Sequence, residues 1–477
     1  MRNSLMKFVF SISILLYSGV NFAQSEIEIK SKISDFMTYL PIESASIYIK
    51  NTTIGTISNT DGKFVLIVPG KYANDTLVIS SIGYKSVKTL VSEFDNTMDV
   101  FLEEDVASLD EIILIANPRP TTGNDIVLRA MEKLEDNLPA NPFLQKGFVR
   151  HKERNKKQYK WLIESAITLY DSSYASGAED NLKINVDELR KSYDLREVDS
   201  VFAYYSYLKY NTKNFNIKSK NILRDTIKTS SLVKAIRWND KRINGLEHLF
   251  KGRLNLLRNS NIEQALFGDR ILDKHQFTLD TVLVDDGRKL YKIRISKSKD
   301  FVGLNTKNIY NEGYEANGWL YIYWDNYAFK KIEYELVAAS DAQKRRSKSL
   351  FNSKINHKLI ITYMEYNGKM YPNYVYYETP KLVKIGDRSS DRKTTEKSLN
   401  SEKEEQYYYT TQEILFTEII DEPDLIEEAL QKPWSDDIFS SRPYNKDFWK
   451  NYNVLLESEE EDQLIQDLTK RATLFKQ

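Results

Sequence analysis

Apolar and polar residues alternate in short runs along most of this chain, and Gly, Pro, Asn and Asp separate the runs. Ala45-Ser46-Ile47-Tyr48-Ile49-Lys50 changes face at each residue, and Asn51-Thr52-Thr53 turns the chain into Ile54-Gly55-Thr56-Ile57. Asp61-Gly62 then leads into Phe64-Val65-Leu66-Ile67-Val68, which Pro69-Gly70 stops. A period of two is that of a half-buried strand, and Asp-Gly is a hairpin signal because glycine tolerates the positive φ of a tight turn. Ile27-Glu28-Ile29, Leu77-Val78-Ile79-Ser80 and Met98-Asp99-Val100-Phe101-Leu102 add further strands. Short strands at even spacing predict a β-sandwich over residues 24–104.

Beyond the sandwich the alternation continues in longer hairpins. Residues 161–170 read as a strand, and residues 277–284 turn at Asp285-Asp286-Gly287 into 290–295. Residues 319–324 turn at Asp325-Asn326 into 329–336, residues 358–366 turn at Asn367-Gly368 into 370–377, and alternation resumes over 407–420. Within 329–336, Ile332, Tyr334 and Leu336 alternate with Lys331, Glu333 and Glu335, which gives one dry and one wet face. The fold class is therefore mainly β, α+β overall. The sandwich is followed by a β-rich body over residues 124–420, built as a large antiparallel curved sheet with a few covering helices. Residues 186–195 and 246–257 read as helices suited to that cover. Asn124 is placed to cap a helix carrying Ile126, Val127, Ala130, Met131 and Leu134 on one face, ended by Pro139 and Pro142. Residues 105–123, with Asn117-Pro118-Arg119-Pro120, read as a stiff linker, and the polar stretch 385–405 as a mobile loop. Residues 421–477 form a helical tail with Leu464, Ile465, Leu468, Ala472 and Phe475 on one stripe. The strands are too few and too interrupted by charge for a membrane barrel.

Residues 1–23 have the form of a secretory signal peptide. Arg2 and Lys7 precede an apolar run from Phe8 to Tyr17 that is too short to span a bilayer, and Gly19, Asn21 and Ala23 follow. No later stretch is long, apolar and uncharged, so no transmembrane span is expected after signal removal. Across 477 residues, Lys+Arg 68 balances Asp+Glu 68, so no global field draws nucleic acid, which is not expected as a partner. With 0 Cys, disulfides, thiol catalysis and cysteine zinc sites are excluded. The 4 His (His151, His248, His275 and His357) form no peptidase zinc spacing, and they read as satisfied surface or core side chains. His151 lies among Arg150, Lys152, Glu153 and Arg154, which reads as a solvated edge. There is no Gly-x-Ser-x-Gly elbow and no phosphate-gripping loop. Asp285-Asp286, Glu404-Glu405 and the acidic run 457–462 read as turns and a helix start, and no metal or cofactor is expected. Trp319, Tyr321, Tyr323, Trp324 and Tyr327 form the densest aromatic group; core packing is the first reading, and stacking on a sugar ring is the functional one. Thr76, Thr226 and Thr281 each sit in an Asp-Thr-apolar tripeptide and are candidates for O-glycosylation.

Gly55-Thr56, Asp61-Gly62-Lys63-Phe64, Val68-Pro69 and Ile79-Ser80-Ser81-Ile82-Gly83-Tyr84 resemble the motifs of the carboxypeptidase-regulatory-like, or transthyretin-like, domain. Ser31 stands where that family usually has Gly ahead of the turn at Asp35. The resemblance implies a prealbumin-like sandwich with an accessory, non-catalytic role, as in surface and nutrient-uptake proteins of Gram-negative bacteria, often ahead of outer-membrane receptors. Asn141-Pro142-Phe143, Gly147-Phe148-Val149-Arg150 and the tail from Pro443 to Asn453 resemble exported bacterial proteins that join this domain to a β-rich body without assigned chemistry. The order of body elements resembles lipoprotein-carrier half-barrels in fold alone. The expected function is a non-enzymatic exported envelope protein, periplasmic or outer-membrane-associated, that binds or docks. Its expected partners are an outer-membrane receptor or envelope protein, a glycan or a lipidic ligand, in the service of uptake or envelope assembly. The alternative is a hydrolase of peptide or glycan whose site assembles from separated residues. No catalytic residue is named.

Overall fold

The computed structural model describes residues 26–105, 119–154, 159–193, 200–218, 221–304, 312–351, 356–382 and 407–459, with 461, 462, 465, 466 and 468 of the tail. The signal segment, linker residues 106–118 and the polar stretch 385–405 lie outside the described residues.

The first strands are β1 (Glu26–Asp35), β2 (Ser46–Ile49), β3 (Gly55–Ile57), β4 (Lys63–Pro69), β5 (Thr76–Ser80), β6 (Val87–Leu90) and β7 (Val100–Leu102). They form a three-stranded sheet ordered β4-β1-β7 and a four-stranded sheet ordered β3-β2-β5-β6. Alternation turns Phe64, Leu66 and Val68 inward against Ile29, Ile33, Ile47 and Ile79. The Asp61-Gly62 turn needs its glycine twice over. Gly62 has φ +75°, and an added Cβ would stand 2.3 Å from the Ile33 carbonyl oxygen. Strand β1 is longer than Ile27-Glu28-Ile29. It ends at Asp35, whose carboxylate accepts from the Met37 and Thr38 amides and from the Tyr84 hydroxyl.

The body strands are β8 (Phe143–Arg154), β9 (Tyr159–Asp171), β10 (Leu182–Tyr193), β11 (His275–Asp285), β12 (Arg288–Lys297), β13 (Val302–Gly303), β14 (Glu312–Tyr323), β15 (Phe329–Ala338), β16 (Asn356–Tyr366), β17 (Lys369–Leu382) and β18 (Tyr407–Ile420). They make one 11-stranded sheet ordered β10-β9-β8-β18-β17-β16-β15-β14-β12-β11, with β13 on β14. All its pairings are antiparallel. Among the described residues the path ends at β10 and β11. The turns at Asp286-Gly287 (φ 48° and 82°) and Asn367-Gly368 (φ 49° and 72°) hold two successive positive-φ residues, as tight hairpins require.

Three local expectations are corrected. Of residues 186–195, expected as a helix, those up to 193 belong to β10, and 194–195 lie outside the described residues. A bulge between Val186 and Glu188 shifts the register, so Ile184, Val186 and Leu189 all face the core at spacings of two and then three. That broken period mimics a helical stripe. Residues 246–257 are helical only over Glu247–Phe250 and then run in turns, yet they do cover the sheet. The helix Gly123–Glu132 is capped by Thr122, whose hydroxyl accepts from the Asp125 amide. Asn124 instead accepts from the Phe277 amide at 2.9 Å, which ties the helix to β11. That contact is close because Gly123 has no side chain: a Cβ there would lie 2.7 Å from the Phe277 carbonyl.

The outer face of β8 and β9 is not a solvated edge. His151 is fully buried, with Arg150, Lys152 and Glu153. Arg150 donates twice to Glu164 (2.9 and 2.7 Å) and to the carbonyl of Leu455, 305 residues away, and pairs with Glu457 at 2.8 Å. Lys152 meets Glu461 at 2.7 Å, Glu413 at 3.1 Å and Glu457 at 3.5 Å. Burial disfavours its charge, but Glu413 and Glu457 outweigh that and hold its pKa well above the ordinary lysine value. Arg190 closes the seam on Glu164 at 2.6 Å, and its guanidinium lies 4.4 Å from the Trp449 ring centre. Around these charges, Trp449 and Leu455 of the tail pack on Phe148, Ala166, Tyr374 and Leu415 of the sheet and on Ile57 of the sandwich. Ile465 and Leu468, two of the predicted stripe residues, pack on Tyr159 and Leu162. The tail also grips the sandwich directly: Asn453 exchanges two hydrogen bonds with the Ile67 backbone (2.7 and 3.0 Å), and Lys63 pairs with Glu459 at 2.6 Å.

The inner face holds the main core, from Trp161 and Ile163 through Ile293, Leu320, Ile332 and Leu359. His275 and His357 are sealed in it. The Nδ1 of His275 lies 2.9 Å from the Ile271 carbonyl and must donate, so its Nε2 accepts from Tyr334 at 2.8 Å. Burial lowers both imidazoles to about 4. A depressed pKa means that the folded state binds fewer protons than the unfolded chain once pH falls below 6.5. The stability these residues give is complete above that value and is lost as pH falls toward 4, on the order of 3 kcal/mol apiece. We expect the melting temperature to fall steadily below pH 6.5, and the double variant His275→Asn/His357→Asn to be less stable at pH 7 with a flatter acid limb. Parallel acid limbs in the two proteins would contradict this.

Candidate functional site

The inner face is not filled everywhere. Between the sheet and the segment that follows Gly245 lies a cleft of about 680 Å³, counted with its open mouth. Its floor alternates out of five strands: Phe143 and Gln145 of β8, Leu169 and Asp171 of β9, Leu182 of β10, Ile361 and Tyr363 of β16, and Met370 and Val375 of β17. Its roof is Leu249, Phe250, Leu254 and Leu257, with Leu138 and Pro139 at one side. Most of that volume is open to solvent, and the walls are almost wholly apolar.

Polar side chains hold the roof in place. Arg258 forks onto Asp171, Nε to Oδ2 at 2.6 Å and Nη2 to Oδ1 at 2.8 Å, and its Nη1 donates to the Ser176 carbonyl at 2.7 Å. Burial pushes the Asp171 carboxyl above its ordinary value, against the pull of Arg258. Asn259 donates to the Phe250 and Gly252 carbonyls, and Asn255 to the Phe250 carbonyl. The Tyr174 hydroxyl pairs with that of Ser260 at 2.9 Å. Gln145 is fully buried; its Nε2 donates to the Pro372 carbonyl at 2.9 Å, and its Oε1 has no partner among the described residues. Among the described residues, no group of three or more His, Asp or Glu is placed to hold a metal.

The sequence-derived candidates lie elsewhere. Trp319, Tyr321 and Tyr323 share the face of β14 opposite Leu320 and Ile322, and each carries a cation. Lys292 stands 4.3 Å from the Trp319 ring, Lys331 5.6 Å from Tyr321, and Arg288 3.7 Å from Tyr323. The Tyr323 hydroxyl also donates to Asp285 at 2.9 Å. Arg119 lies over Trp324 at 3.3 Å, and Tyr327 stacks on Tyr291. Thr76 begins β5, Thr281 follows the bulge in β11, and Thr226 is exposed in a short 3₁₀ turn with its hydroxyl on the Leu223 carbonyl. Sequence reasoning missed Gln145, Asp171 and Arg258. The leucine spacing of 246–257 identified a cover but not the space beneath it.

Residues 29–114 match the CarboxypepD_reg-like domain, so the chain carries that domain at its N-terminal end. The TonB-dependent receptor SusC of Bacteroides thetaiotaomicron is 34% identical over 113 residues, which are 23% of this chain and 10% of that protein. The chain thus spans about a tenth of that curated relative. A crystallised domain described as an outer membrane lipoprotein-sorting protein, from Vibrio parahaemolyticus, aligns with 64% of this chain and 98% of its own at 9% identity, with a TM-score of 0.21. A protein from Bacteroides fragilis NCTC 9343, described as membrane-associated and of unknown function, aligns with 83% of this chain and 98% of its own at 10% identity, with a TM-score of 0.13. Neither score carries a structural argument. Among the described residues, no helix is long and apolar enough to cross a membrane.

The Asp171–Arg258 fork has a measurable consequence for the roof. Arg258→Leu leaves a buried carboxylate without its partner and should cost about 3–5 kcal/mol by denaturant unfolding. Asp171→Leu/Arg258→Leu should recover much of that loss. Equal losses in the single and the double variant would contradict the assignment.

Proposed function

We propose that this chain is a non-enzymatic protein of the bacterial envelope, exported by its N-terminal segment, whose body binds one apolar, lipidic molecule in the inner-face cleft. The observation that carries the reading is the cleft itself: an open-mouthed gap with leucine, phenylalanine and proline walls, roofed by a segment pinned through Arg258. The envelope setting is supported by the CarboxypepD_reg-like domain and by the partial likeness to a TonB-dependent receptor. The same likeness favours service to outer-membrane uptake, with a receptor or another envelope protein as partner. The sandwich acts as the docking module, since the tail fixes it rigidly to the body. Stacking of a sugar on the Trp319–Tyr323 face is the weaker binding reading, because Lys292, Lys331 and Arg288 already lie against those rings. Of the three tripeptide threonines, Thr226 is the exposed one and the first place to seek an added hexose by intact mass.

Protein purified from its native envelope should release an apolar molecule on organic extraction, and the emptied protein should take up N-phenyl-1-naphthylamine. Leu254→Trp, which puts an indole into the roof, should abolish that uptake without lowering the melting temperature by more than a few degrees. Absence of any extracted molecule together with no uptake by the wild type would end the reading.

A further inference from the structure

The cleft is apolar but not featureless, and its polar groups differ in what they have left to offer. The charged pair is spent: the Arg258 Nε and Nη2 are taken by Asp171, and its Nη1 by the Ser176 carbonyl. The Asn255 amide nitrogen is committed to the Phe250 carbonyl, and the Tyr174 hydroxyl to Ser260. Gln145 differs. Its Nε2 lies 2.9 Å from the carbonyl of Pro372, which can only accept, so that atom is fixed as the donor nitrogen and Oε1 as an acceptor. This Oε1 is buried, on a side chain with no exposure at all, and has no hydrogen-bond partner among the described residues. A buried acceptor without a donor is costly, and native proteins keep few of them.

Resting on the cleft reading above, we infer that Gln145 Oε1 is the recognition point for the ligand's head group, and that the ligand is a neutral lipidic molecule with a hydrogen-bond donor: a hydroxyl or an amide N–H at the end of an apolar chain. A donor head group satisfies the acceptor while the chain lies along the leucine roof. An ester or ether head brings only acceptors, and leaves both itself and Gln145 unpaired. A free fatty acid in its anionic form fares worse, because the neighbouring guanidinium is already neutralised by Asp171 and, among the described residues, no second cation lines the cleft to offset burial of the charge. Polarity of one sign in an apolar pocket discriminates more sharply than shape, since the penalty falls on every ligand that lacks the complementary group.

The test is displacement of N-phenyl-1-naphthylamine from the full chain by four probes of equal chain length: decanol, decanamide, methyl decanoate and decanoate at pH 8. In the wild type, decanol and decanamide should bind about tenfold more tightly than methyl decanoate, the fold-change expected for one buried hydrogen bond made or lost, with decanoate weakest. In Gln145→Leu, the alcohol, amide and ester should converge to within about twofold. Equal wild-type affinities for those three, or a preference that survives Gln145→Leu, overturn this inference while leaving the cleft as an apolar site. If none of the four displaces the probe and the probe itself does not bind, the cleft reading falls and this inference falls with it. Should Gln145→Leu fail to fold, the wild-type series alone decides.

Discussion

Two cations buried on one strand set the arrangement of this protein. Arg150 and Lys152 lie on the outer face of β8, an interior strand between β9 and β18, where burial of an unpaired charge is prohibitive. Their partners come from three places: Glu164 on β9, Glu413 on β18, and Glu457 and Glu461 on the tail. The sheet offers each cation one carboxylate, and the rest of their pairing is complete only when the tail folds back over it. Buried ion pairs add little net stability, because desolvation offsets their attraction. What they provide here is a single acceptable docking of the tail, and through Asn453 and Glu459 of the tail, a single placement of the sandwich.

That division assigns different work to the two faces of the sheet. The outer face is consumed by fastening, with Trp449 and Leu455 of the tail completing a small apolar cluster around the charges. The inner face is a wider apolar surface covered by short helices and turns, and the cover does not fill it. A turn-rich roof packs less tightly than a long helix with a continuous stripe, and the space left under Leu249 to Leu257 is a consequence. The shape of the cleft on one face thus depends on the other face being closed, since the floor strands β8 and β9 are the strands held by Arg150 and Glu164.

The sheet was legible in the sequence wherever its pattern was local. The hairpins at Asp286-Gly287 and Asn367-Gly368, and the strict alternation of Ile332, Tyr334 and Leu336, are visible in consecutive residues, and so are the turn at Gly62 and the motifs of the sandwich. Three things were hidden. The bulge in β10 broke the period of two and so resembled a helix. The run Arg150-His151-Lys152-Glu153 has the composition of a solvated edge, and acids on neighbouring strands and 305 and 309 residues onward make it a buried one. The cleft is a space between non-adjacent segments, and a single glutamine in a strand of mixed polarity gives no sign that its oxygen is unpaired. In each case the missing information was a distant contact rather than a weak local signal.

Amide hydrogen exchange on the intact protein tests the fastening most directly. It should be followed in the wild type and in Glu457→Ala side by side. The account predicts slow exchange at Trp449 and at Ile67, whose amide is held by Asn453 across 386 residues, and release of both together in the variant while β14 to β16 stay protected. Free-peptide exchange of the tail in the wild type, or a variant in which neither site changes, would contradict it.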